Sequence, residues 1–184
     1  MVVMNLSKQD ILELAAKYDE DYPWWTSEEK RIGDQLRRDS EFGMDTLKEI
    51  IHWKFKSLPG REKRVNNLIN QYGDQKIRQI TIRILPLPTS EDLTKIQALC
   101  EPKGIGVAIA STILTFHNPQ DYCVYDIHVM RGVYGKEPKH MFTGFKHYLK
   151  LLKDLREYST RVNLPVRTIE KALFKKNIDS SRNL

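Results

Sequence analysis

The chain has 184 residues, 40% hydrophobic and 29% charged, which suits one domain or two small lobes and excludes disorder throughout. The longest nearly apolar run, Val107 to Phe116, is about half a membrane span, so no transmembrane helix is predicted, and Cys100 and Cys123 are too few for a four-cysteine zinc or iron–sulfur site. The net charge is +6, and residues 139–184 hold eleven Lys/Arg against four Asp/Glu, a basic stretch that attracts polyanions such as nucleic acid or else forms a solvated helix surface.

Met1 to Leu6 has no basic segment and no long apolar one, so no secretory signal is expected and the expected location is the cytoplasm. Both cysteines then read as buried thiols rather than a disulfide. Ser7 caps a first helix carrying Ile11, Leu12, Leu14 and Ala15. Thr26-Ser27-Glu28-Glu29 has the capping-box spacing and opens a second through Ile32 and Leu36. Asp45 begins a third, with Leu47, Ile50, Ile51 and Lys54 at helical spacing, and Arg61 to Tyr72 forms a fourth, stopped near Gly73. Ile77 to Ile84 is rich in β-branched residues and suits helix or strand, but among helical neighbours the helix is favoured, ended by Pro86 and Pro88.

Ser90 to Leu99 and Val107 to Phe116 follow as helices on either side of a turn. Another helix begins near Asp126, and Thr143 to Tyr158 is strongly amphipathic. Pro165 suits the first turn of a last helix whose apolar face is Ile169, Ala172, Leu173 and Phe174. The chain therefore reads as all-α, with eight to ten helices. His52, His117, His140 and His147 show no metal-ligand spacing, so no metal site is predicted.

The turn between the two middle helices is the most informative segment. Gly104 and Gly106 allow positive φ and close backbone approach, and Ile105 between them plugs the angle of the two helices. The N–H groups at the start of the second helix, around Val107 and Ala108, have no acceptor within it and suit a phosphate. Small residues Ala108, Ala110 and Ser111 allow the helices to pack closely. Lys103 stands beside the turn. Twenty residues past Gly106 comes Val124-Tyr125-Asp126-Ile127-His128-Val129-Met130-Arg131.

Together these segments resemble the helix-hairpin-helix DNA glycosylase superfamily (endonuclease III and its relatives), whose hairpin reads Leu-Pro-Gly-hydrophobic-Gly. Gly104-Ile105-Gly106 fits that pattern, while Lys103 takes the proline slot and Pro102 the leucine slot. The resemblance is clear over about 93–131. The rest is similar to short prokaryotic relatives through Tyr22-Pro23-Trp24-Trp25, Trp53-Lys54 and Arg167-Thr168-Ile169-Glu170-Lys171-Ala172-Leu173.

The resemblance implies a two-lobed helical fold. One lobe is 40–122, with the hairpin at about 90–117; 1–39 and 123–184 form the other. It implies Asp126 as the catalytic carboxylate, Lys103 to Ala108 as the DNA-binding hairpin, and double-stranded DNA as the partner. In bifunctional members a lysine stands two residues past the second glycine. Here that residue is Ala108, so the expectation is a monofunctional enzyme. No iron–sulfur cluster is implied, since the last cysteine is Cys123; a monovalent cation on the hairpin carbonyls is compatible with it. A monomer is the default oligomeric state.

The chemistry explains why one carboxylate suffices. Breaking an N-glycosidic bond builds positive charge on the sugar, and a neighbouring carboxylate stabilises that charge and orients a water. A base inside a duplex is unreachable, so it must be flipped into a pocket with stacking walls. Trp24, Trp25, Trp53 and Tyr125 are the candidate walls, with Tyr22 behind them and His128 as a second polar group. Each also has a plainer reading: Asp126 as an N-cap, the tryptophans as core, His128 as a structural histidine. The competing function is a helix-hairpin-helix module that binds DNA structure without breaking a bond.

Overall fold

In the computed structural model, which describes residues 4–39, 41–135 and 144–182, ten α-helices follow one another with short connections. They are α1 Lys8–Asp21, α2 Pro23–Asp39, α3 Met44–Phe55, α4 Pro59–Ile69, α5 Asp74–Ile84, α6 Asp92–Leu99, α7 Val107–His117, α8 Ile127–Tyr134, α9 Phe145–Val162 and α10 Val166–Arg182; a 3-10 turn, Thr89–Glu91, precedes α6. No strand occurs among the described residues. His140 and Thr143 lie outside them.

The helix starts show local sequence at work. Ser7 Oγ accepts the Asp10 N–H at 3.1 Å and the Asp10 carboxylate accepts the Ser7 N–H at 2.9 Å, a reciprocal box at the head of α1. The box predicted at Thr26 does not form. Pro23, its φ already helical, opens α2 three residues earlier, and Thr26 Oγ1 instead donates to Asp19 at 2.9 Å. Pro59 likewise opens α4 before Arg61, and that helix ends at Ile69. Pro165 stands one residue before α10, its carbonyl accepting the Ile169 N–H at 3.2 Å.

Segment 77–84 resolves as helix because its isoleucines obey the helical period. Ile77, Ile80 and Ile84 are buried, whereas Ile82, which a strand would place on the face of Ile80, is 55% exposed. Leu12 in α1 also faces outward, while Ile11 and Ala15 are buried.

Packing joins elements distant in sequence. Helix α1 lies on α10, which also packs on α8 and α9; α2 packs on α7 and α3; α5 lies on α6, and α6 touches α9. One continuous core results, with Ile11, Leu36, Ile50, Ile96, Ala110, Val129, Leu151 and Ile169 wholly buried. At the α8–α10 crossing a side chain at Gly132 would stand 2.9 Å from the Leu173 carbonyl oxygen, so glycine sets how near these helices come.

Candidate functional site

The hairpin is the α6–α7 corner. Cys100 ends α6, its N–H shared between the Ile96 and Gln97 carbonyls, and the Ile105 N–H closes the turn on Pro102 O at 3.1 Å. Gly104 has φ +101, and a Cβ on it would stand 3.0 Å from Leu68 Cβ, so both conformation and space call for glycine. Ile105 is 7% exposed and packs into the core. Gly106 is the N-cap of α7, and a Cβ on it would meet nothing within 4 Å. Gly106, Val107 and Ala108, the first turn of α7, border a cavity. Lys103 is exposed beside them, its own N–H bound to Tyr72 Oη at 2.9 Å.

A segment without helix or strand, 122–126, leads from α7 to α8. Its buried backbone is held by side chains from three helices. The Tyr125 N–H donates to Ser111 Oγ of α7 at 2.9 Å, and the Val124 N–H donates to Glu170 Oε2 of α10 at 3.3 Å. Tyr148 Oη of α9 donates to Cys123 O at 3.2 Å. These bonds fix the position of Asp126.

Asp126 caps α8: Oδ1 accepts the His128 N–H at 2.9 Å. Oδ2 pairs with Lys54 Nζ at 3.1 Å, and the same ammonium stands 3.5 Å from Tyr125 O. The side chains of Lys54 and Asp126 are 11% and 24% exposed. Burial pushes the Asp126 carboxyl up, but the Lys54 ammonium and the His128 N–H outweigh it and hold the group below its ordinary 3.8. Asp126 is therefore a carboxylate at neutral pH.

Asp126 and Lys54 border a cavity of about 730 Å³ that also touches Gly104, Gly106, Val107 and Ala108. Trp25, Trp53, Tyr125 and His128 line it too. Trp24 does not. It borders a separate 390 Å³ groove, with its ring under Lys56 Nζ at 3.6 Å and edge-on to His52 at 5.4 Å. Tyr125 touches the cavity but is 1% exposed; its ring packs edge-on against Tyr148 at 5.7 Å, and burial pushes its hydroxyl up to about 12. Its ring is thus packed mainly into the core behind the cavity. His128 Nδ1 is hydrogen-bonded to Asn177 Oδ1 at 2.9 Å, and its ring meets the edge of Phe174 at 5.2 Å.

Sequence reasoning left several lining residues out of the site. Tyr18 and Phe174 are two of them, and with Tyr22 and Trp25 they form an aromatic group along the inner wall, Phe174 edge-on to both tyrosines and Tyr22 edge-on to Trp25. Arg167 and Glu170 lie behind it, inside the motif already singled out on α10. Arg167 is buried and bidentate on Glu29, at 2.8 and 2.6 Å, and also pairs with Glu170. Burial works to raise Glu29, yet Arg167 overcomes it and holds Glu29 low; Glu170, for which burial prevails, is raised.

Cys100 and Cys123 are free thiols, and burial pushes that of Cys100 up to about 12. Among the described residues, no group of three or more His, Cys, Asp or Glu side chains is placed to hold a metal ion, and no helix is long and apolar enough to cross a membrane. No protein-family model, curated protein or solved structure matches this chain.

Proposed function

We propose that this protein is a DNA N-glycosylase of the helix-hairpin-helix kind, built from two helical lobes, which flips a damaged or mismatched base and releases it with Asp126. The observation that carries the reading is that one cavity is bordered by both the N-terminal turn of α7 and an ionised aspartate. In this reading, the N–H groups around Gly106 to Ala108 hold a phosphate of the duplex and so bring one nucleotide to the cavity. Trp25 and Tyr22 offer apolar walls for the flipped base. The Asp126 carboxylate stabilises positive charge growing on the sugar and orients the attacking water. Lys54 keeps that carboxylate charged. A monovalent cation on the hairpin carbonyls belongs to the same proposal.

A second reading has its own observation. Asp126 is already satisfied as the cap of α8 and the partner of Lys54, which is what a purely structural aspartate requires. The same fold then binds DNA structure without cutting a bond.

Single-turnover release of free base separates the two. Duplexes carrying uracil, thymine opposite guanine, 8-oxoguanine, hypoxanthine or alkylated adenine are incubated at low salt with wild type and Asp126→Asn. The expected result is release from one substrate class by wild type only, with the variant still binding duplex. Equal release by the variant removes Asp126 from the chemistry. Tight, salt-sensitive binding with no release from any duplex establishes the binding-module reading.

A further inference from the structure

More than half of the basic stretch at 139–184 is neutralised within the fold. Six of its eleven Lys/Arg pair with carboxylates: Lys150 and Lys153 within α9, and Arg156, Arg167, Lys171 and Lys175 across to acids on α6, α2 and α1. Arg161 packs on the Tyr158 ring at 4.5 Å. Lys146 and Lys176 have no such pair but stand on different helices, α9 and α10. Unpaired cations gather instead at the corner of α3 and α4 and on the hairpin. Lys56, Arg61, Lys63, Arg64 and Lys103 are all exposed, and among the described residues none has a carboxylate oxygen within 4.0 Å. Glu62, the one acid between Lys56 and Tyr72, is turned to His52 Nδ1 at 2.9 Å.

Helix α4 carries three of these cations against the hairpin. A Cβ on Gly104 would stand 3.0 Å from Leu68 Cβ and 3.3 Å from Val65 O, and Tyr72 Oη, just past the helix, accepts the Lys103 N–H at 2.9 Å. Arg61 lies four residues before Val65 and Arg64 four before Leu68, so both arginines share the face of α4 that meets the turn. Arg61 also borders the large cavity, together with Gly106, Val107 and Ala108, and its guanidinium lies 5.6 Å from the centre of the Phe55 ring.

We infer that the α3–α4 corner is a second phosphate-binding surface, continuous with the hairpin, on which Arg61 and Arg64 hold the backbone of a DNA duplex. The surface presupposes the nucleic-acid reading of the site but not any chemistry at Asp126. A guanidinium without a carboxylate partner offers its fork of N–H donors to phosphate oxygens without first breaking an ion pair. The start of α7 carries only a partial charge, felt within about one helical turn. Full cations beside it attract the duplex from farther away, and their docking releases counterions from the DNA. The paired cations of α9 and α10 lack this advantage, because each must leave its carboxylate before it meets a phosphate. The duplex therefore lies along α4 and the hairpin, with Arg61 at the edge of the cavity that receives the nucleotide.

The test is a fluorescence-anisotropy titration of the full-length protein with an undamaged labelled duplex, repeated over a series of salt concentrations, so that no base release is required. Wild type is compared with three double variants: Arg61→Gln with Arg64→Gln, Arg61→Lys with Arg64→Lys, and Lys150→Gln with Lys153→Gln. The glutamine pair on α4 is expected to lower the slope of log affinity against log salt by about two, and affinity at low salt by about tenfold or more. The lysine pair keeps most of the slope, because the charges remain. The α9 pair, whose lysines are 60% and 75% exposed but ion-paired, changes the slope little. Thermal unfolding checks that every variant is folded. A wild-type slope in the α4 glutamine pair, an equal loss in the α9 pair, or a lysine pair as weak as the glutamine pair overturns the assignment. Each of these leaves the proposed base-release function standing. Failure of wild type to bind any duplex overturns both.

Discussion

Trp25 and Trp53 hold each other by reciprocal hydrogen bonds. The Trp25 indole N–H donates to Trp53 O at 3.1 Å, and the Trp53 indole N–H donates to Trp25 O at 2.7 Å. The pair joins the first turn of α2 to the last turn of α3, the turn that carries Lys54. Trp53 is also wedged edge-on against Phe116 of α7 at 4.9 Å, so one ring touches the hairpin helix while its backbone presents the lysine. The two tryptophans thus act as wall and as scaffold together.

Replacing either indole by phenyl removes a donor and strands a carbonyl. Trp25→Phe and Trp53→Phe are each expected to lower stability by about 1–3 kcal/mol, read from urea unfolding midpoints. Because each bond crosses between the same two residues, the double variant is expected to depart from additivity by about 0.5 kcal/mol or more. Additive effects would show that the two bonds act independently.

The hairpin was legible from residue spacing because each glycine there answers a local demand: Gly104 a positive φ, Gly106 a clear approach. The helical character of 77–84 was legible only through its neighbours, since β-branched residues suit either structure and the period decides only when burial is known. The true start of α2 was obscured by two competing signals, a capping-box pattern at Thr26 and a proline at position 23; the proline prevails because Thr26 has Asp19 as a partner. Lys54 was visible as part of a Trp-Lys pair, but its aspartate lies 72 residues away, a distance no periodicity bridges. The same is true of Arg167 and Glu29, which lie 138 residues apart.

At the hairpin, two glycine substitutions are expected to fail differently. Gly104→Ala imposes a positive φ on a residue with a Cβ and presses it toward Leu68, costing about 1–3 kcal/mol of stability. Gly106→Leu has ordinary backbone geometry and open space, so the fold survives, while the side chain covers the N–H groups of α7. Its expected effect is a loss of about 1–2 kcal/mol in duplex affinity, equal across sequences. Lys103→Ala is expected to lower the salt dependence of binding by about one phosphate contact. Unchanged affinity of Gly106→Leu in a fluorescence titration removes the hairpin from the interface.

Arg167 is a buried ion that two carboxylates share. It is the shared partner of Glu29 and Glu170, and removing it leaves two carboxylates without their buried cation. Arg167→Met is expected to destabilise by about 3–5 kcal/mol. Lysine does not rescue it, because a single ammonium cannot reproduce the bidentate contact with Glu29. Denaturant unfolding of both variants checks this. A loss under about 1 kcal/mol would mean that water reaches the site and solvates the carboxylates.

The Lys54–Asp126 pair has a signed dependence on pH. The folded Asp126 carboxyl lies below its ordinary 3.8, so its contribution to stability is complete above that value and disappears as the pH falls through the lower folded value. In Lys54→Gln the ammonium is gone while burial remains, so the Asp126 midpoint moves upward. Acid unfolding then begins at a higher pH than in wild type. Carboxyl carbon shifts in NMR, followed between about pH 2 and 6, read the midpoint directly. An unmoved midpoint would mean that the His128 N–H alone holds the carboxylate.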